Sequence, residues 1–222
     1  MKIRTLDELQ DAIDSEMAWR KRELFAIKAN IQSARKFAKD TALRAGITLL
    51  YAHWEGAVKN IAQYYLTYVS FLRLPYDALK PNFLAISVKS ELSTYESTGK
   101  ASHQTRIVNA IFQKHKEQSR IPMDGIIRTN SNLSSSAFIE IMSAIGLCCS
   151  SYEPHYKLID EVLLNMRNRI AHGEQLGNVL SLDESRYIEI HDQIRDLIEQ
   201  FSIQVSNAAF AEEYKMATPK QL

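Results

Sequence analysis

Apolar residues recur every third or fourth position through most of this chain, the period of helices with one buried face. The clearest run is Leu43, Ile47, Leu50, Trp54, Val58, Ile61, Tyr65, Tyr68 and Leu72. It predicts one long helix, the spine of a bundle, with Pro75 and Pro81 bracketing its end. Ahead of it, roughly Leu6 to Phe37 holds no Gly or Pro and is rich in Ala, Glu, Lys and Arg, as a long first helix would be. Thr5 with Glu8 three residues on has the spacing of a capping box.

From Pro81 to Gly146 the periodicity weakens. The stretches "FLAISVKSEL" and "QTRIVNAIFQKHKEQ" read as moderate helices, and "PMDGIIRTNSNLSSS" as a polar connector with room for a short extended piece. "SSSAFIEIMSAIGL" reads as a capped helix ending at Gly146. "SYEPHYKLIDEVLLNMRNRIAH" reads as a helix stopped by Gly173, and a last helix starts at Ser181 with Glu184 at the capping-box position. The tail "ATPKQL" reads as frayed. These elements make an all-α bundle, one domain over 1–222, with a small helical insertion at about 76–150 between helix 2 and the penultimate helix.

Composition narrows the function. Only 7 Gly and 5 Pro occur, which disfavours glycine-rich phosphate loops and turn-dense β folds. The net charge of +1 gives no global pull toward nucleic acid, so a polyanion site would have to be a local patch. Cys148 and Cys149 are adjacent with no distant partner, which fits free thiols in a reducing cytosol. The N-terminus "MKIRTLDELQ" lacks a signal-peptide core, and the most apolar stretch is broken by His53, Glu55, Lys59, Asn60 and Gln63. The expectation is a soluble cytoplasmic protein without a membrane span.

The stretch that stands out is "NMRNRIAHGE", residues 165–174. On its helix Ile159, Val162, Leu163, Met166 and Ile170 form a buried face, and Glu161, Asn165, Asn168 and His172 fall on one stripe roughly opposite. Such a stripe can simply face water. Two asparagines near a helix end are, however, poor helix formers that ask for a reason. Imidazole is also the side chain that moves protons near neutral pH. Arg167 lies about 140° around the helix from His172. A partner for the histidine could therefore come from a long arginine stem, from a loosened helix end, or from a second copy of the chain. Cleaving RNA by attack of a ribose 2′-hydroxyl on its own phosphate benefits from a base, an acid and a cation. One chain offers a single His here, whereas a two-fold dimer would offer two His and two Arg in one cleft.

Arg167-Asn168-Arg169-Ile170-Ala171-His172 resembles the signature of the HEPN superfamily, an arginine followed four to six residues later by a histidine, often with a polar residue just after the arginine. The long helix carrying "LLYAHWEGAVKNIAQYYL" resembles the corresponding helix of the stand-alone prokaryotic HEPN nucleases, with Glu55 at the place of an acidic residue near the site. The resemblance implies a helical bundle that dimerises through the motif helices. It also implies metal-independent RNA cleavage with no cofactor, leaving a 2′,3′-cyclic phosphate and a 5′-hydroxyl. Carried over residue by residue, His172 would be the acid/base and Arg167 the phosphate clamp. Asn168 would orient the histidine or the phosphate, with Asn165, Arg169 and Glu55 in support. Such proteins commonly act as toxins or anti-phage effectors, held in check by a partner from the same operon. HEPN toxins silenced by nucleotidyl modification carry a tyrosine two residues after the motif histidine; Glu174 stands there in this chain.

Other readings compete. Glu55 could be a surface carboxylate paired with Lys59 one turn on. The other histidines form no His-x3-His pair and no Cys-x2-Cys occurs, so zinc has little support. Glu189, His191 and Asp192 read as solvated surface. "WRKREL" and "KHKEQSR" are basic clusters that could track an RNA backbone or simply be charged helix faces. The alternatives to a nuclease are an inactive HEPN-type dimer that binds a nucleotide, RNA or a partner protein, and a helical scaffold in which the motif is coincidental.

Overall fold

The computed structural model describes residues 2–89, 92–93, 100–129, 132–174 and 182–216. Helix α1 spans Leu6–Ser33 and α2 spans Lys36–Leu72. Pro81–Ser87, Ala101–Lys114 and Ser135–Ile145 form α3, α4 and α5. The motif lies on α6, Asn165–Ala171, and Glu184–Phe210 forms α7. Among the described residues there is no strand, only two isolated bridges, Pro75 with Gln118 and Leu79 with Lys215. The all-α bundle is thus as the periodicity predicted, with α3, α4 and α5 lying between α2 and the motif helix.

The long helices α1, α2 and α7 pack against one another, α5 and the motif helix lean on α2, and α3 packs on α5. Ile47, Leu50, Trp54, Val58, Ile61 and Tyr65 of the predicted stripe are fully buried along α2. Gly46 sits where the three helices come close. A Cβ there would stand 2.5 Å from Cδ1 of Ile31 on α1 and 2.8 Å from Cε2 of Tyr187 on α7. Thr5 caps α1 as predicted, accepting from the Glu8 amide at 3.1 Å. The reciprocal Glu8 bond goes one residue upstream, to the Arg4 amide at 2.6 Å.

The first boundary differs from expectation. α1 stops at Ser33, not Phe37, and after Ala34 and Arg35 the chain re-enters α2 at Lys36. No Gly or Pro marks this break; Lys39 reaches back to accommodate it, donating to the Ile31 carbonyl at 2.7 Å. Phe37, 85% exposed, sits in the first turn of α2. Glycine stops were legible: Gly146 ends α5 at φ +73° and Ser134 caps its start. The predicted cap Ser181 lies outside the described residues, as do the tail residues 217–222. α7 is capped by Asp183, whose side chain accepts from the Arg186 amide at 2.8 Å.

The connector between α4 and α5 runs back along α2 toward the motif helix. Ser70 donates to the Ile121 carbonyl at 3.2 Å, Gln63 to the Met123 carbonyl at 3.0 Å, and Leu133 donates its amide to the Tyr51 hydroxyl at 2.6 Å. Ile121, Ile127 and Leu133 anchor this path in the core. Among its described residues there is no extended ladder; what it delivers is polar side chains beside α6.

Candidate active site

The segment entering the motif helix is not one regular helix. Residues Ser150–His155 form a 3-10 turn and Leu158–Leu164 a π-helical stretch that runs straight into α6. A π stretch is wider than the α form and is frequent at functional sites. Here it seats Ile159 and Leu163 in the core while Asp160 accepts from the Ser135 amide at 2.8 Å, pinning the motif segment to the start of α5. Met166 is buried and Ile170 packs on the core, so the predicted apolar face is present. On the other side Glu161, Asn165 and His172 are exposed and Asn168 is half-buried.

The end of α6 is fixed by a complete glycine cap. Gly173 adopts φ +78°, where a side chain would be strained, and its amide bonds the Ile170 carbonyl at 3.0 Å. The Glu174 amide bonds the Arg169 carbonyl at 2.9 Å, the six-to-one bond of a Schellman motif. The Arg169 side chain donates to the Glu174 carboxylate at 2.7 Å, and Arg44 of α2 donates to the Glu174 carbonyl. Glu174 thus closes the turn that presents His172. The imidazole stands exposed and makes no hydrogen bond to any described residue.

Arg167 turns the other way. Its guanidinium carbon lies 4.8 Å from the centre of the Tyr51 ring, a cation–π stack. Nη1 donates to Oδ1 of Asn132 and to Oδ1 of Asn168, both at 2.9 Å. Glu55, one turn beyond Tyr51 on α2, accepts from the Thr129 hydroxyl at 2.7 Å; its partner is therefore Thr129 and not Lys59. Burial first, and then the neighbouring Glu55 carboxylate, push the Tyr51 hydroxyl up to about 12, so it stays a neutral group. The Asn168 side chain bonds Arg167 and not the His172 imidazole.

The structure therefore joins Arg167, Asn168 and the neighbourhood of Glu55 into one cluster, and leaves Asn165 and His172 beside it on the exposed stripe. Tyr51, Thr129 and Asn132 belong to that cluster, and sequence reasoning missed them. Only the four-residue spacing of Tyr51 and Glu55 on one helix face hinted at the first. Among the described residues no group of three or more His, Cys, Asp or Glu side chains stands ready to hold a metal ion.

A second polar cluster lies between α1 and α2. Arg20, 3% exposed, donates Nε to Glu16 at 3.1 Å and Nη1 to the His53 carbonyl at 3.2 Å. Asn60 adds a 2.7 Å bond to Glu16, and Nε2 of His53 meets Glu23 at 3.0 Å. Arg20, in the "WRKREL" cluster, is accordingly consumed inside the fold and unavailable to an RNA backbone. His191 also departs from its reading as solvated surface. It is 2% exposed, with its ring nitrogens 3.2 Å from the Leu24 carbonyl and 2.9 Å from Asp192.

The sequence model of one family, RiboL-PSP-HEPN, matches residues 15–207, most of the chain. The chain belongs to the RiboL-PSP-HEPN family. No curated protein and no solved structure matches it significantly. As a HEPN domain it falls in a group generally associated with ribonucleases, often binding RNA and dimerising, so an RNA-related function is the direction that membership gives. No described helix of this HEPN domain is long and apolar enough to cross a membrane.

Proposed function

We propose that this HEPN domain is a metal-independent endoribonuclease, acting as a toxin or anti-phage effector in the cytoplasm and restrained by an operon-encoded partner. His172 serves as the acid/base and Arg167 as the clamp for the scissile phosphate and its developing charge. Asn168 steadies Arg167, Arg169 holds the turn under His172 through Glu174, and Asn165 lines the same face. Glu55 orders the connector through Thr129.

The observation that carries the reading is the state of the Arg167 guanidinium. Nη1 is saturated by two bonds, while among the described residues neither Nε nor Nη2 donates to anything. That free edge is the one that matches two phosphate oxygens. His172 is an exposed imidazole with no orienting partner in its own chain. A second protomer, apposed through α6, would bring a second His172 and Arg167 to the same cleft and complete a base, an acid and a cation. The chain would occupy 1–222 as one such domain.

Purified protein incubated with mixed cellular RNA in excess chelator tests this reading, with His172→Ala in parallel and product ends mapped. Metal-free cutting that leaves cyclic-phosphate and 5′-hydroxyl ends, lost in the variant, supports it. No cutting by the wild type favours an inactive HEPN-type dimer that binds a nucleotide, RNA or a partner protein. Equal cutting by both removes His172 from the chemistry.

A further inference from the structure

The connector between α4 and α5 touches the candidate site three times. Thr129 donates to Glu55 at 2.7 Å, Asn132 accepts from Arg167 at 2.9 Å, and the Leu133 amide donates to the Tyr51 hydroxyl at 2.6 Å. These bonds span 74, 35 and 82 positions of sequence. Leu133 is fully buried, so the connector is anchored where it meets the site. Tyr51 is 2% exposed and its ring cannot follow a moving guanidinium.

Each contact constrains a different freedom of Arg167. The Tyr51 ring limits how far the guanidinium can shift, holding its carbon 4.8 Å from the ring centre. Asn132 and Asn168 take the two Nη1 hydrogens, which sets the orientation of the planar group. What remains is the Nε–Nη2 edge, held in one orientation before any ligand arrives. A free arginine would lose side-chain entropy on ordering; here folding has already ordered it.

We propose that Tyr51 and Asn132 are positioning residues for Arg167, presetting its Nε–Nη2 edge as a bidentate fork for an RNA phosphate. The insertion thereby contributes to the RNA site through Asn132. The inference rests on Arg167 being the phosphate clamp of the proposed nuclease, but it concerns binding and is separable from cutting.

The test is a cycle of wild type, Asn132→Ala, Arg167→Ala and the double variant. Each is titrated with a 2′-O-methyl RNA oligonucleotide, which has no free 2′-hydroxyl and cannot be cut. Asn132→Ala is expected to weaken binding about two- to ten-fold, the cost of ordering one side chain on binding. The same change in the Arg167→Ala background is expected to do almost nothing. Side-chain nitrogen NMR gives a second readout: the Arg167 Nη groups rotate slowly in the wild type and average in Asn132→Ala. Wild-type affinity in Asn132→Ala, an equal loss in both backgrounds, or Arg167 Nη groups equally mobile in both proteins would each overturn the clamp. A wild type that binds this RNA through the clamp yet never cuts natural RNA overturns the nuclease reading and leaves the clamp standing. A wild type that does not bind it overturns both.

Discussion

Oε1 of Glu55 accepts a 2.7 Å hydrogen bond from the hydroxyl of Thr129, tying α2 to the connector that reaches the motif helix. Thr129 is 8% exposed, so removing the carboxylate strands a buried hydroxyl. Glu55→Ala is expected to destabilise the fold by about 1–3 kcal/mol, and Glu55→Gln, which keeps an acceptor, by less. Urea unfolding measures both. A Glu55→Ala protein as stable as the wild type would mean that the bond does not order the connector.

Gly56 makes room for Arg20. A Cβ at Gly56 would stand 2.7 Å from Nη2, and the guanidinium is held by Glu16 and the His53 carbonyl, so it cannot swing aside freely. Gly56→Ala is expected to cost about 1–3 kcal/mol, the range for overpacking a filled interior. Arg20→Ala should cost more, about 3–5 kcal/mol, because Glu16 would remain buried without its cation. Thermal melts of the two variants should rank in that order; the reverse ranking would show that the fold tolerates Glu16 without the Arg20 cation.

Acid should weaken this same cluster in two stages. Burial, and then the neighbouring Arg20 charge, hold His53 below its ordinary 6.5, despite opposing help from Glu23 and Glu16. The unfolded chain therefore takes up this proton more readily, and stability falls as the pH drops below 6.5 until folded His53 is protonated too. For Glu16, burial pushes upward, but bonds from Arg20 and Asn60 and the Arg20 charge outweigh it and hold the carboxyl below 4.5. Its contribution is complete above 4.5 and is lost as the pH falls through the lower, folded value. His53→Gln is expected to flatten the Tm–pH curve just below 6.5 and leave the more acidic limb in place. A curve unchanged by that substitution would contradict the assignment.

What was legible in the sequence was whatever a single helix decides by itself. The α2 stripe, the Thr5 and Ser134 caps and the Gly146 and Gly173 stops each follow from a period or a local backbone demand. The break at Ala34 and Arg35 was not legible. It arises because α1 must fold back on α2, with Gly46 set between Ile31 and Tyr187, while no Gly or Pro among the local residues marks it. The π stretch at Leu158–Leu164 was hidden for a related reason: its apolar residues keep helical spacing. The motif located Arg167, but its partners Tyr51 and Asn132 lie far away in sequence and carry no motif of their own. Burial of His191 depended on the Leu24 carbonyl of another helix, which no local window contains.

Facing copies of α6 should be open to cross-linking. Asn165 is exposed on the same stripe as His172, and the native thiols are the free Cys148 and Cys149. In a background with both cysteines changed to serine, Asn165→Cys is expected to give a disulfide-linked dimer on mild oxidation. A Lys116→Cys control, at an exposed position on the connector after α4, should not. Monomer alone after oxidation would argue against apposed motif helices.

His172→Ala should leave stability within about 0.5 kcal/mol, since the imidazole is exposed and bonds no described residue. That makes it a clean subunit for mixing. Wild-type and His172→Ala chains are co-expressed over a range of ratios, and RNA cutting in chelator is measured against the wild-type fraction. A composite cleft that needs both histidines predicts activity falling as the square of that fraction. A linear fall would show that each protomer cuts alone, and would contradict the shared site.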